Sequence, residues 1–146
     1  MKFTCTVEIA RPRDEVVALF QDPTKLGEYQ KDFLRKELVS GSEWEEGAVS
    51  RLYYKFGKRE MELTETIVSN TLPEAFLGAY HHMHMDNTMR SVFTELDEGR
   101  TRYDAEVEYT EFRGFMPKLM SFLFPGLFKK QVQKWLNNFK EYAERS

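Results

Sequence analysis

An α+β fold is predicted: a curved antiparallel sheet of about seven strands wrapped around a long C-terminal helix, with one or two short helices after the first strand. Three observations predict it. The N-terminal stretch "KFTCTVEIA" alternates apolar and polar residues with a period of two. A series of similar segments separated by turn residues then runs to about Phe112. From Gly114 onward the apolar residues recur instead at three- and four-residue spacing, which is the signature of a helix.

The elements follow in order. In the first strand Phe3, Cys5, Val7 and Ile9 share one face and Lys2, Thr4, Thr6 and Glu8 the other. "RPRDEVVALFQDP" then has a proline suited to a first helical turn, acids near its start, apolar Val16, Val17, Leu19 and Phe20, and a stop at Asp22-Pro23. "TKLGEYQKDF" is compatible with one more helical turn, buried through Leu26, Tyr29 and Phe33. Six strands come next. "DFLRKELV" ends at "SGSEWEEG", "AVSRLYYKF" turns at Gly57-Lys58, and "REMELTETIV" ends at "SNTLP". "EAFLGAYHHMHM" turns near Asp86-Asn87, "TMRSVFTEL" turns at "DEGR", and "TRYDAEVEYTEF" closes the series. Links this short imply antiparallel neighbours. In the C-terminal helix, Pro125-Gly126 must kink or split the run, because proline removes an intrahelical hydrogen bond and clashes with the preceding turn.

Composition narrows the function. The 146 residues are expected to form one domain, residues 1–146. With 21 Lys and Arg against 24 Asp and Glu, a net charge of -3 provides no general attraction for nucleic acid. Cys5 is the lone cysteine, so no internal disulfide forms, and the N-terminus lacks the apolar core of a signal peptide. A soluble, cytoplasmic protein is expected. The apolar stretch "FMPKLMSFLFPGLF" is too short and too interrupted to be a transmembrane segment. No cofactor is expected, since phosphate loops and dinucleotide fingerprints are absent, and no Gly-x-Ser-x-Gly marks a nucleophile.

Four stretches, "IARPRDEVVALFQDP", "TETIVSNTLPEAFLGAY", "FTELDEGRTRY" and "GFMPKLMSFLFPGLFKKQVQKWLNNFKEYAE", together span nearly the whole chain. Through them the sequence resembles the START-like, birch-pollen-allergen-like superfamily, and within it the polyketide cyclase/dehydrase and lipid-transport (SRPBCC) group. The resemblance implies the helix-grip fold and a cavity between sheet and long helix that takes a hydrophobic or amphipathic small molecule. Relatives include aromatases and cyclases, and co-chaperone domains share the fold, so fold alone does not name the activity.

Strand alternation independently supplies an inward set that would suit such a cavity. It comprises Leu52, Tyr54 and Phe56; Met61, Leu63, Glu65 and Ile67; Leu77, Ala79 and His81; Met89, Ser91 and Phe93; and Tyr103, Ala105, Val107 and Tyr109. Met120, Phe124 and Phe128 are the expected contributions from the C-terminal helix. Glu65 shares parity with apolar neighbours, so it is either a cavity acid or is paired with an arginine such as Arg51 or Arg90. All three histidines fall in "YHHMHMD". Alternation puts His82 and His84 on one face and His81 with Met83 and Met85 on the other, so only two converge and no third metal ligand is identifiable. No metal site is expected. If the odd positions face the cavity, His81 is its polar landmark; if the even ones do, His82 is.

The expected function is binding or transport of a lipid, polyketide, isoprenoid or aromatic metabolite. The alternatives are a cyclase/aromatase-like enzyme using Glu65 with His81 as an acid/base pair, and a co-chaperone-like interaction module. The soft apolar surface of "FMPKLMSFLFPGLFKK", with Lys118, Lys129 and Lys130, adds a homodimer contact or a transient membrane contact to the candidate partners.

Overall fold

The computed structural model describes residues Met1–Ser146. Seven strands, β1 (Lys2–Ile9), β2 (Phe33–Ser40), β3 (Val49–Phe56), β4 (Arg59–Asn70), β5 (Ala75–His81), β6 (Met85–Asp97) and β7 (Arg100–Phe112), form one curved antiparallel sheet. Its spatial order is β1-β7-β6-β5-β4-β3-β2, so β1 and β2, consecutive in the chain, lie at opposite edges. The link between them carries α1 (Arg13–Gln21), a 3-10 turn at Pro23–Lys25 and α2 (Leu26–Tyr29) across the concave side. Two further helices, α3 (Phe115–Leu123) and α4 (Pro125–Arg145), end the chain. No helix is long and apolar enough to cross a membrane.

Local chemistry explains the boundaries. Pro12 precedes α1, and Asp14 and Glu15 occupy its first turn, where carboxylates favour the exposed N–H groups. The Asp22 carboxylate accepts the Thr24 N–H at 3.0 Å, ending α1 and opening the 3-10 turn. Gly57, with φ 61°, supplies the left-handed backbone needed by the two-residue β3–β4 turn, in which Phe56 pairs with Arg59. The long C-terminal run splits rather than kinks. Phe124 donates its N–H to the Met120 carbonyl, and Pro125, lacking an N–H, starts a new helix.

Helix α4 packs along β1 and over the sheet. Its stripe of Val132, Leu136, Phe139 and Ala143 is buried with Cys5, Val7 and Ile9 of β1 and Phe93, Tyr103, Ala105 and Val107 of β6 and β7. Val16, Val17 and Tyr29 close the same core from α1 and α2. Phe20 joins the layers, its ring lying edge-on to Phe93, Tyr103 and Phe139 at centroid distances of 5.1, 6.0 and 6.3 Å. Helix α4 also covers the free edge of β1: Gln133 Nε2 donates to the Thr6 carbonyl at 3.1 Å and Lys140 Nζ to that of Glu8. An edge strand covered in this way cannot recruit another strand.

One boundary differs from the sequence reading. The β5–β6 turn occupies His82–His84, with the His82 N–H donated to the Met85 carbonyl at 2.9 Å, so β6 begins before Asp86-Asn87 rather than after it. The reason is long-range. His81 pairs with Asp86 in the ladder, and Arg113, from beyond β7, holds the turn by its carbonyls.

Phe139 is 2% exposed and touches the rings of Phe20, Tyr29 and Tyr103. Phe139→Ala is expected to destabilise the fold by about 3–5 kcal/mol, read from urea unfolding midpoints at unchanged m-value.

Candidate functional site

A cavity of about 270 Å³ lies between the concave face of the sheet and α4. Leu52, Tyr54 and Phe56 of β3, Met61, Leu63 and Glu65 of β4, and Phe76 and Tyr80 of β5 form one wall. Met85, Asn87, Met89 and Ser91 of β6 with Tyr103, Val107 and Tyr109 of β7 form the floor, and Val132, Trp135, Leu136 and Phe139 of α4 the roof. Phe20, Leu26, Tyr29 and Gln30 close one side together with Trp44 from the β2–β3 loop. Of 27 lining residues 20 are hydrophobic, so the few polar groups stand out in an apolar surround.

Those polar groups are organised around Glu65. The Tyr80 hydroxyl donates to Glu65 Oε2 at 2.8 Å, and Lys36 Nζ of β2 lies 3.5 Å from Oε1. The two charged side chains are 10% and 11% exposed, so this is a buried ion pair and not a surface one. Lys36 also sits 4.9 Å over the Trp44 ring, a cation–π contact that further compensates its lost hydration. Trp44 itself adopts a positive φ of 66°, and its carbonyl accepts from Asn70 Nδ2 at 2.6 Å, which helps fix a conformation that a non-glycine residue seldom takes. Two smaller pairs add to the polar lining. Tyr54 donates to Gln30 Oε1 at 2.8 Å, and Ser91 Oγ and the Tyr103 hydroxyl are 3.0 Å apart.

Burial raises the pKa values of these phenols. It pushes Tyr103 up to about 12 and holds Tyr54 above the usual tyrosine value, with the Glu65 charge adding to the effect on Tyr54. Tyr80 is raised well above that value, by burial first and then by the charge and hydrogen bond of Glu65. At neutral pH all three therefore keep their protons.

Gly78 makes the central contact feasible. A Cβ at this position would lie 2.7 Å from the Tyr80 hydroxyl and 3.0 Å from two atoms of its ring. The Tyr80 side chain folds back over Gly78, bringing its hydroxyl to the acid on β4.

The structure sorts the sequence-predicted residues into three groups. Leu52, Tyr54, Leu63, Glu65, Met89, Tyr103 and Tyr109 line the cavity. Phe93 and Ala105 have the expected inward parity but belong to the solid core, because α1 and α4 fill that part of the concave face; Phe93 stacks on Tyr103 with centroids 4.6 Å apart. Leu77 and His81 point the other way. Register explains this: Glu65 pairs with Tyr80, Ile67 with Gly78 and Gly78 with Met89, and paired residues share a face, so the even positions of β5 turn inward. A bulge between Ile67 and Ser69 then keeps Phe76 inward opposite Asn70.

His81 and Glu65 consequently lie on opposite faces and cannot form an acid/base pair. His81 Nδ1 instead meets Asp86 Oδ1 at 2.6 Å on the outside. Nor does an arginine pair with Glu65: Arg51 Nε meets Glu62 at 3.1 Å, and the cation is Lys36. From the C-terminal segment, Phe128 packs on Tyr109 and Phe112 at 5.1 and 5.5 Å without lining the cavity, Met120 is half-buried on α3, and Phe124 is exposed. No residue of α3 lines the cavity, whose helical roof comes from α4 alone.

The sequence reading missed Lys36, Trp44, Tyr80, Gln30 and Trp135. A lone tryptophan in the polar loop "SGSEWEEG" was the available signal, since a large ring in a hydrophilic turn tends to pack inward. Lys36 had no such signal. It faces inward because it pairs with Leu52 across an edge ladder interrupted by two register shifts.

His82 is the histidine on the cavity side, at the β5–β6 turn. Its pKa is lowered by burial first, then by the charges of His84, Arg113 and His81. The His82 and His84 rings are 5.4 Å apart, and Arg113 clasps the turn. Arg113 Nε donates to the Met83 carbonyl at 3.2 Å and its terminal nitrogens to the His82 carbonyl and to both Asp86 oxygens, at 3.0 and 2.9 Å. This fork holds the Asp86 carboxyl down at about 2, with His81 assisting.

Comparison with known proteins adds the following. A family model described as polyketide cyclase/dehydrase and lipid transport matches residues 1–144. No curated protein matches the chain. Among solved structures, the Zhui aromatase/cyclase from Streptomyces sp. R1128 superposes with a TM-score of 0.81 at 15% identity, covering 99% of this chain and 94% of that one. A START superfamily protein from Mycobacterium smegmatis gives 0.81 at 11% identity, with 99% and 97% covered. Norcoclaurine synthase from Thalictrum flavum, in complex with dopamine and hydroxybenzaldehyde, gives 0.69 at 10% identity, with 98% and 86% covered. Likeness at these identities establishes the fold.

Two measurements probe the local electrostatics. Lys36→Met leaves the Glu65 carboxylate without its cation and is expected to cost about 3 kcal/mol at neutral pH in urea unfolding. Arg113→Ala should return Asp86 toward the ordinary carboxylate range of about 3.9. Because Asp86 is depressed in the folded protein, its stabilising contribution is present above that range and disappears as pH falls through about 2. The stability gap between wild type and Arg113→Ala should therefore be full at pH 6 and narrow as pH approaches about 2, leaving the pH-independent part owed to the His82 and Met83 carbonyls.

Proposed function

Because the chain belongs to the polyketide cyclase/dehydrase and lipid transport family, we propose that it binds and carries a hydrophobic or amphipathic small molecule of the lipid, polyketide, isoprenoid or aromatic class. The observation that carries this reading is an apolar cavity with a single charged pole. Removing about 300 Å² of apolar ligand surface from water would supply roughly 7 kcal/mol before ordering costs, which the preformed wall keeps low. The ligand's polar end belongs at Glu65, Lys36 and Tyr80, whose carboxylate, ammonium and phenol offer both acceptor and donor. Leu52, Leu63, Met89, Trp135 and Leu136 take the apolar body. A pure interaction module would have a core filled throughout, whereas α4 covers a cavity beside its packed core.

The same pole favours a second reading, a cyclase/aromatase-like enzyme. Glu65 and Tyr80 share a proton path of 2.8 Å inside a low-dielectric site, and Lys36 stands ready to balance a developing negative charge. This pair replaces the Glu65–His81 pair expected from sequence.

Binding of a panel of fatty acids, quinones and flavonoids, followed by displacement of a fluorescent apolar probe, tests the carrier reading. Leu63→Trp fills the cavity and is expected to weaken the best ligand at least about tenfold while leaving the melting temperature close to that of the wild type. Equal affinity of the two proteins removes the cavity as the site. Tyr80→Phe separates the readings: with a cyclisable poly-β-ketone mimic, an enzyme loses turnover and keeps binding, whereas a carrier shows no turnover in either form.

A further inference from the structure

Helix α3 buries none of its residues. Phe115 and Phe122 are 76% and 81% exposed, and Met116, Leu123, Phe124 and Leu127 are each at least half exposed. Water-facing aromatic and aliphatic side chains at this density on one segment call for a partner. The charge around them says which kind. Between Glu111 and Glu141 the chain contains no acidic residue, although the whole molecule is net negative at -3. Arg113 and Lys140 in this interval are paired with Asp86 and Glu144, but Lys118, Lys129, Lys130 and Lys134 meet no carboxylate. A second copy docked here would set these lysines against their own kind with no acid to answer them. An anionic lipid surface answers both halves of the pattern, its headgroups taking the ammonium groups and its acyl boundary the apolar side chains.

Position strengthens the match. Antiparallel order brings the end of β7, where α3 begins, to the same end of the sheet as the β3–β4 and β5–β6 turns. Those turns carry Phe56, 47% exposed and itself on the cavity lining, and Met83, 71% exposed, with Lys55 and Lys58 beside Phe56. His82 and Met85, which also line the cavity, flank Met83.

We propose that α3 and the first two turns of α4 form a peripheral docking surface for anionic membranes, setting the His82–Met85 end of the cavity toward the bilayer. The apolar side chains of α3 enter the headgroup boundary, and Lys118, Lys129 and Lys130 meet the lipid phosphates and carboxylates. The surface stands on exposure and charge and does not depend on what the cavity holds.

Co-sedimentation of the full chain, without added cavity ligand, with vesicles of pure phosphatidylcholine or of phosphatidylcholine containing roughly 30% phosphatidylserine provides the test. Partitioning onto the anionic vesicles is expected to exceed that onto the neutral ones at least about tenfold, and to fall with added salt. Phe115→Ser/Phe122→Ser and Lys118→Glu/Lys129→Glu/Lys130→Glu should each abolish it with unchanged circular dichroism and melting temperature, and Leu63→Trp should retain it. Equal or absent binding to the two vesicle types overturns the proposal, as does binding that neither variant alters. A dimer in light scattering that Phe115→Ser/Phe122→Ser dissociates, without vesicle binding by the wild type, assigns the surface to a second copy instead. The cavity reading is tested separately by Leu63→Trp, so the two can fail independently.

Discussion

Phe139 lies where α4 meets the concave face of the sheet, edge-on to Phe20, Tyr29 and Tyr103, and the rest of the molecule is arranged around that contact. Helix α4 carries an apolar stripe along its 21 residues, about 31 Å of helix, and water is a poor place for it. The sheet must therefore present an apolar surface of matching length and curve toward it. Where α1 adds Val16 and Phe20 from the side, the space closes into a solid core; beyond that, no third layer is available and a cavity is left.

The cavity's polar pole depends on the same closure. Glu65 would be a costly buried carboxylate if Lys36, Tyr80 and Trp44 did not converge on it, and each arrives from a different element. Lys36 comes from an edge strand, Tyr80 through a glycine that leaves space for its ring, and Trp44 from a loop held in a left-handed conformation. Removing any one leaves the others less well satisfied, so the pole behaves as a unit. That suits the role proposed for it, recognition of one end of an otherwise apolar molecule.

Much of this was legible in the chain. Seven strands and their antiparallel order follow from alternation and short turns, and the inward parity of β3, β4, β6 and β7 follows from where their large apolar residues sit. The break at Pro125 was equally readable, because the missing N–H is a local fact. The two faces of β5 were not distinguishable: Leu77, Ala79 and His81 are no less apolar than Phe76, Gly78 and Tyr80. The β5–β6 turn is read from the sequence near Asp86-Asn87 but lies at His82–His84, since no glycine marks it and its anchor, Arg113, lies on the far side of β6 and β7.

Sequence by itself determined the elements, their order, the apolar stripe of α4 and the inward placement of Glu65, because these depend on residues within one period of each other. Tertiary structure alone decided which face of β5 lines the cavity, that Glu65 answers Lys36 and Tyr80 rather than His81 or an arginine, and that α3 leaves its apolar residues in water. Each of these depends on cross-strand register or on where a helix stops packing. A one-residue change in register exchanges the two faces of a strand, and the sequence of β5 does not favour either strongly enough to settle the choice.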